Sequence, residues 1–148
     1  MSATATATAT EVPALRFDGV SHEGIPCDKA KLEPMITFFR EVLGLTQIPR
    51  PPALDAMGSG AWMVDADRTV SFHLIVNETA IRPGADAKIT PAGRHTAWKI
   101  RDVPAFRGRM KALGVPFQEI GNLTGDPQLF LLDPQGHTWE FQGPPGQQ

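Results

Sequence analysis

The chain repeats itself. Leu43-Gly44 and Leu113-Gly114 stand about 70 residues apart, each closing a helical pattern and each followed by a strand-like segment. Before Gly44, the residues Leu32, Met35, Ile36, Phe39, Val42 and Leu43 recur at helical spacing, which predicts a helix over Lys31–Leu43. Before Gly114, Val103–Leu113 is predicted helical, with Asp102 as its N-cap and Pro104 in its first turn. Both glycines suit the left-handed residue that ends a helix. Three strands are predicted after each helix: Leu45–Ile48, Ala61–Val64 and Thr69–Val76, then Val115–Ile120, Pro127–Leu132 and His137–Phe141. An extended segment precedes each helix, Leu15–Cys27 and Arg94–Ile100. Each half therefore reads strand, helix, strand, strand, strand, and a long period of this kind marks a duplicated unit.

The predicted fold class is α+β: two tandem βαβββ modules forming a curved, cup-like mixed sheet with helices outside. The modules are residues 15–77 and 93–143, joined by a linker over 78–92 that carries Pro83 and Gly84. The 148 residues are enough for one core without a covalent staple. Residues 1–14 and 144–148 are expected to be disordered tails. Ser2–Thr10 reads SATATATAT, whose methyl-sized side chains bury too little area to offset the entropy of ordering. That tract has no basic residue and no apolar run, so it is neither a signal peptide nor a membrane span.

Composition narrows the partners. A net charge of −2 gives no basic footprint for nucleic acid and no polybasic signal for a membrane. The single cysteine, Cys27, excludes an internal disulfide and an all-cysteine zinc site, and it fits a reducing, cytoplasmic setting. With no basic neighbour to favour a thiolate, Cys27 reads as structural. The chain contains no tyrosine, so no step can use a tyrosine acid. A small-molecule substrate is the expected partner.

The duplication places chemistry at matched positions. His22 falls in the first strand of the first module and His95 in the first strand of the second; His73 and Glu140 fall in the two last strands. One strand histidine is more often a hydrogen-bonded core residue than a ligand, but three at symmetry-related positions are not coincidental. Four such side chains converging on the cup would form a site for one divalent ion, Zn, Ni, Fe, Co or Mn. The remaining histidine, His137, follows a Pro-Gln-Gly turn and reads as a solvated or turn-supporting residue. Trp62, Met63, Trp98, Phe130 and Trp139 are candidate wall residues, about half of which can face inward by strand alternation. Trp62, Trp98 and Phe130 are the favoured substrate contacts. Arg50 and Arg94 are candidates to meet an anionic substrate, with Arg50 preferred, although a solvated loop arginine is the commoner case.

Four segments carry a family resemblance: VSHEGIPCDK (Val20–Lys29), FFREVLGL (Phe38–Leu45), GRHTAWKIRD (Gly93–Asp102) and QLFLLDPQGHTWEF (Gln128–Phe141). The most specific is Asp-Pro-x-Gly-x-x-x-Glu over Asp133–Glu140. Together they resemble the vicinal oxygen chelate superfamily, which holds glyoxalase I, extradiol dioxygenases, fosfomycin-resistance thiol transferases and bleomycin-resistance proteins. The likeness runs from about Phe17 to Gly143, and the stretch Ile48–Val76 resembles small glyoxalase I-like members. The resemblance implies metal ligands at His22, His95 and Glu140. At the fourth-strand position glyoxalase I has a glutamate and this chain has His73, which is either a fourth ligand or a neutral base. The implied function is a metal-dependent lyase or isomerase of the glyoxalase type, acting on a small carbonyl or hydroxycarbonyl compound, with Glu140 or His73 moving the proton. The alternatives are an Fe(II) dioxygenase of the extradiol type, a thiol transferase and a drug-binding resistance protein. Relatives are commonly homodimers, which implies a second copy of this chain as a partner.

Overall fold

A computed structural model describes residues 19–84, 86–120 and 126–147. The expected tail over 1–14 lies outside the described residues, as does the start of the extended segment at Leu15. The first module runs β1 (Glu23–Cys27), α1 (Leu32–Thr37), β2 (Thr46–Ile48), β3 (Gly60–Val64) and β4 (Ser71–Val76). The second runs β5 (Thr96–Lys99), α2 (Val103–Leu113), β6 (Gln118–Ile120), β7 (Gln128–Leu132) and β8 (Thr138–Gln142). Each module folds its four strands into one mixed sheet, ordered β1-β4-β3-β2 and β5-β8-β7-β6. In each sheet the first strand runs parallel to the last and the other pairs are antiparallel. The α+β class and the doubled βαβββ plan are those expected from the sequence.

Local chemistry sets the helix ends. Asp102 caps α2 by accepting from Ala105 N at 2.8 Å, and Gly114 closes it with φ 65°. The first helical run is less regular than its periodicity suggests. A 3-10 turn over Lys29–Lys31 leads into α1, which widens into a π-helical turn over Phe38–Val42 before Gly44 at φ 75°. Consecutive Phe38 and Phe39 are both buried there.

Strand alternation divides the side chains. Phe72 and Leu74 of β4, Ala61 and Met63 of β3, Leu129 and Leu131 of β7, and Trp139 and Phe141 of β8 all enter one core shared by both modules. Phe39 sits between the sheets, 5.2 Å from the ring of Phe72 and 5.4 Å from that of Trp139. The helical run is thus covered by both modules, and within the chain the strands form two separate sheets, not one continuous cup. Polar ties reinforce the seam. Asp28 and Gln135 bond reciprocally at 3.0 and 3.1 Å, and Arg82 pairs with Asp28. Arg109 of α2 donates to the carbonyls of Val42, at 2.7 Å, and Glu41.

One detail departs from the sequence reading. Gln147, in the segment 144–148 expected to fray, docks on α2: its Oε1 accepts from Val103 N at 2.9 Å and its Nε2 donates to Arg101 O. The first-turn amides of a helix have no internal acceptor, and this side chain satisfies one of them. His137 takes the turn-supporting role, one of the two expected of it. Its Nδ1 lies 2.8 Å from Asp133 Oδ2, which also accepts from Trp139 Nε1, while Asp133 Oδ1 accepts from the amides of Gln135, Gly136 and His137. Gly136, at φ 97°, cannot be replaced without a clash, because a Cβ there would lie 2.7 Å from Ala87.

Candidate functional site

His73 lies between Phe72 and Leu74 on β4, so it faces away from the core. Its direct cross-strand neighbour is Trp62 of β3, and the two rings stack at 4.1 Å and 4°. His22, one residue ahead of β1, stacks on His73 at 4.1 Å and 17°. His73 is therefore held within an aromatic pile. Burial, and secondarily the neighbouring His22, push its pKa below the usual histidine range. It is neutral at pH 7 and offers a ring nitrogen as ligand or base.

The second module repeats the positions with different chemistry. Glu140 of β8 lies between Trp139 and Phe141 and also faces away from the core, opposite Phe130 of β7. Its carboxylate is only 4 % exposed. Glu140 Oε2 lies 2.6 Å from His95 Nε2, and Oε1 accepts from Gln128 Nε2 at 2.9 Å. His95, one residue ahead of β5, keeps 25 % of its side chain exposed; its Nδ1 lies 2.8 Å from Gly93 O, and its ring packs edge-on to Phe130 at 5.9 Å. A buried carboxylate needs such partners on both oxygens.

The expected ligands thus gather two by two. His22 meets His73, and His95 meets Glu140. Among the described residues no three histidine, cysteine or acidic side chains lie within reach of one ion. The physical reason is the packing: both modules turn their inner faces to a common core, so the two ligand-bearing faces belong to separate sheets. The wall candidates also divide. Trp62 and Phe130 stand beside the ligand pairs. Trp98, Met63 and Trp139 belong to the core face, with Trp98 at 4.8 Å from Phe72. Arg50 is not available to a substrate, because its guanidinium donates to Gly58 O and Leu54 O and holds their loop. Cys27 is buried, and burial pushes its thiol pKa up, consistent with a structural role. Gln128 is the partner that sequence reasoning missed. Its signal lies in the register: with Phe130 opposite Glu140, Gln128 is the diagonal neighbour of Glu140 on the same face.

This doubled fold has known counterparts. The sequence profile of the Glyoxalase/Bleomycin resistance protein/Dioxygenase superfamily matches residues 29–141, and the chain belongs to that superfamily. No curated protein matches it. Among solved structures it is similar to a putative glyoxalase family protein from Bacillus anthracis, with 20 % identity, 88 % of this chain and 98 % of that one covered, and TM-score 0.72. It is similar to TnmS3, an antibiotic binding protein from Streptomyces sp. CB03234, with 18 % identity, 88 % and 99 % covered, and TM-score 0.67. It is also similar to a variant of the fosfomycin resistance protein FosX from Listeria monocytogenes complexed with Mn(II), with 18 % identity, 86 % and 93 % covered, and TM-score 0.63. At these identities the likeness establishes the fold. The superfamily's description joins glyoxalases and dioxygenases with bleomycin resistance proteins, so it includes enzymes and resistance proteins alike. Among the described residues no helix is long and apolar enough to cross a membrane.

Proposed function

We propose that the chain is a metal-dependent lyase or isomerase of the glyoxalase type, acting on a small carbonyl or hydroxycarbonyl compound, and that its centre is completed in a homodimer. The observation that carries this reading is the equivalence of the two pairs. His73 opposite Trp62 and Glu140 opposite Phe130 occupy the same position and the same outward face of the duplicated sheets. Placing the His22–His73 face of one protomer against the His95–Glu140 face of its partner assembles three imidazoles and a carboxylate. That nitrogen and oxygen donor set suits Zn, Ni, Fe, Co or Mn, and a similar fold in FosX is found with Mn(II).

A bound divalent ion supplies Lewis-acid stabilisation of charge developing on adjacent substrate oxygens. The chain supplies orientation and proton transfer. Gln128 fixes Glu140 Oε1, so Oε2 is the oxygen presented beside His95. His73, neutral at pH 7, has one ring lone pair, which serves either the ion as a ligand or a substrate proton as a base. Trp62 and Phe130 shield the space next to each pair from water.

A complementation experiment tests the composite centre. One chain carries His22→Ala and His73→Ala, the other His95→Ala and Glu140→Ala. Alone, neither should bind metal. After unfolding and refolding together, about a quarter of the wild-type metal content should return, because half of the random dimers hold one intact centre. No recovery from dimers that do form would refute a site shared between protomers. Oxygen uptake with a catechol would move the reading to an Fe(II) dioxygenase.

The flat Trp62–His73–His22 stack favours one second reading, a metal-free protein that binds a planar drug. Wild-type chain that takes up no divalent ion after dialysis, yet quenches Trp62 fluorescence with such a drug, would establish it.

A further inference from the structure

A cleft of about 680 Å³ runs along the seam between the modules, apart from the two ligand-bearing faces except where it touches His95. Ile25, Pro26, Pro83 and Trp139 give it apolar walls. Glu23, which points to the opposite side of β1 from His22, lines it with a half-satisfied carboxylate. Oε1 accepts from Thr96 Oγ1 at 3.0 Å, and Oε2 is buried with no hydrogen-bond partner among the described residues. His137 lines the same cleft with its Nδ1 committed to Asp133, which leaves Nε2 free to bond a ligand. Lys88 and Arg94 also line it; both are exposed, and neither forms an ion pair among the described residues.

A buried acceptor without a donor is costly, and a donor brought by a ligand would relieve that cost. The charges define that partner. An inorganic anion would be repelled by Glu23, and a simple cation by Lys88 and Arg94. A molecule with both charges answers both, and the volume is that of a drug-sized ligand, beyond a single ion. We propose that this cleft binds a short peptide or peptide-like zwitterion, its primary ammonium on Glu23 Oε2 and its carboxylate on Arg94 and Lys88. The proposal does not depend on the metal centre.

Calorimetry on the full-length protein with the dipeptide alanyl-phenylalanine tests it. Saturable binding is expected below about 10 mM. N-acetylating the dipeptide, or amidating its carboxylate, should weaken binding at least about tenfold, as loss of a charge-assisted hydrogen bond does. Glu23→Gln, which keeps an acceptor for Thr96, should do the same, and Arg94→Ala should weaken binding about threefold to tenfold. His73→Gln should leave the affinity within about twofold, since His73 faces the other side of its sheet. No saturation at that concentration would overturn the proposal. So would binding indifferent to N-acetylation, or binding lost in His73→Gln but kept in Glu23→Gln.

Discussion

The two faces that carry the candidate ligands are copies in position and opposites in construction. On the second module every polar atom of Glu140 is engaged, with His95 on one oxygen and Gln128 on the other. On the first module His73 is held by ring stacking between Trp62 and His22. Hydrogen bonds fix direction to within tens of degrees, whereas stacking fixes a plane and leaves rotation within it. The duplicated scaffold therefore presents one face set in advance and one that adapts. Under the proposed function, the second face would define where an ion binds, and the first would accommodate what arrives with it.

The largest test of that contrast is Glu140→Ala. It should lower divalent metal affinity at least about 100-fold and destabilise the fold by about 1–3 kcal/mol, because the Gln128 amide loses its buried acceptor. Metal competition with a chelator and denaturant unfolding measure the two effects. Full metal retention would mean that the second face does not carry the centre. Next comes Gln128→Leu, which leaves Glu140 in place but frees its rotation. A loss of about 10–100-fold in metal affinity is expected, typical of removing a group that orients a ligand. Affinity unchanged within twofold would show that the carboxylate is held by packing alone.

Trp62→Ala should produce a smaller change, confined to the first face. Opening the stack rehydrates His73, so its pKa should rise toward the ordinary histidine value, as followed by NMR of the ring protons. The sign in stability follows. The unfolded chain binds the His73 proton more readily than the native chain, so in wild type this group makes stability rise with pH, from the depressed native pKa up to about 6.5. The variant should flatten that rise, and an unaltered slope would remove His73 as its source. The smallest effect belongs to the surface pair Arg107–Glu119, at 2.7 and 2.9 Å, which ties α2 to β6. Hydrogen bonding to Arg107 holds the Glu119 pKa below the usual glutamate value. Its contribution is therefore complete above about pH 4.5 and fades as the pH falls through the lower native value. Glu119→Gln should cost about 0.2–1 kcal/mol at pH 7, given its exposure to solvent, and the difference from wild type should shrink in acid.

The doubled fold was legible because its punctuation is local: Asp102 caps a helix, Gly44 and Gly114 end helices, and the strands between them alternate. The candidate ligands were legible through the same periodicity. Their pairing was not, because the relation of the two modules depends on Phe39 wedging between Phe72 and Trp139, a contact with no sequence signature. Trp98 illustrates the limit. Alternation allows it either face, and only the seam of two sheets decides that it goes inside. Arg50 fails for a related reason, since a loop that needs its carbonyls tied consumes a cation that composition would assign to substrate. The π-helical turn at Phe38–Val42 likewise arises from fitting two adjacent phenylalanines into one core.

Arg109 joins the two helices at an unexpected place. Its guanidinium closes the carbonyl end of the first module's helical run from α2 of the second. The last carbonyls of a helix need donors from outside it; Leu43 N and Leu45 N supply them locally to Phe38 O and Phe39 O, and Arg109 supplies them to Glu41 O and Val42 O from across the duplication. The halves share a plan but are no longer interchangeable parts. A fragment ending at the linker would lose the Arg109 bonds to Glu41 O and Val42 O and expose half a core, so the repeat is expected to unfold as one cooperative unit, not as two.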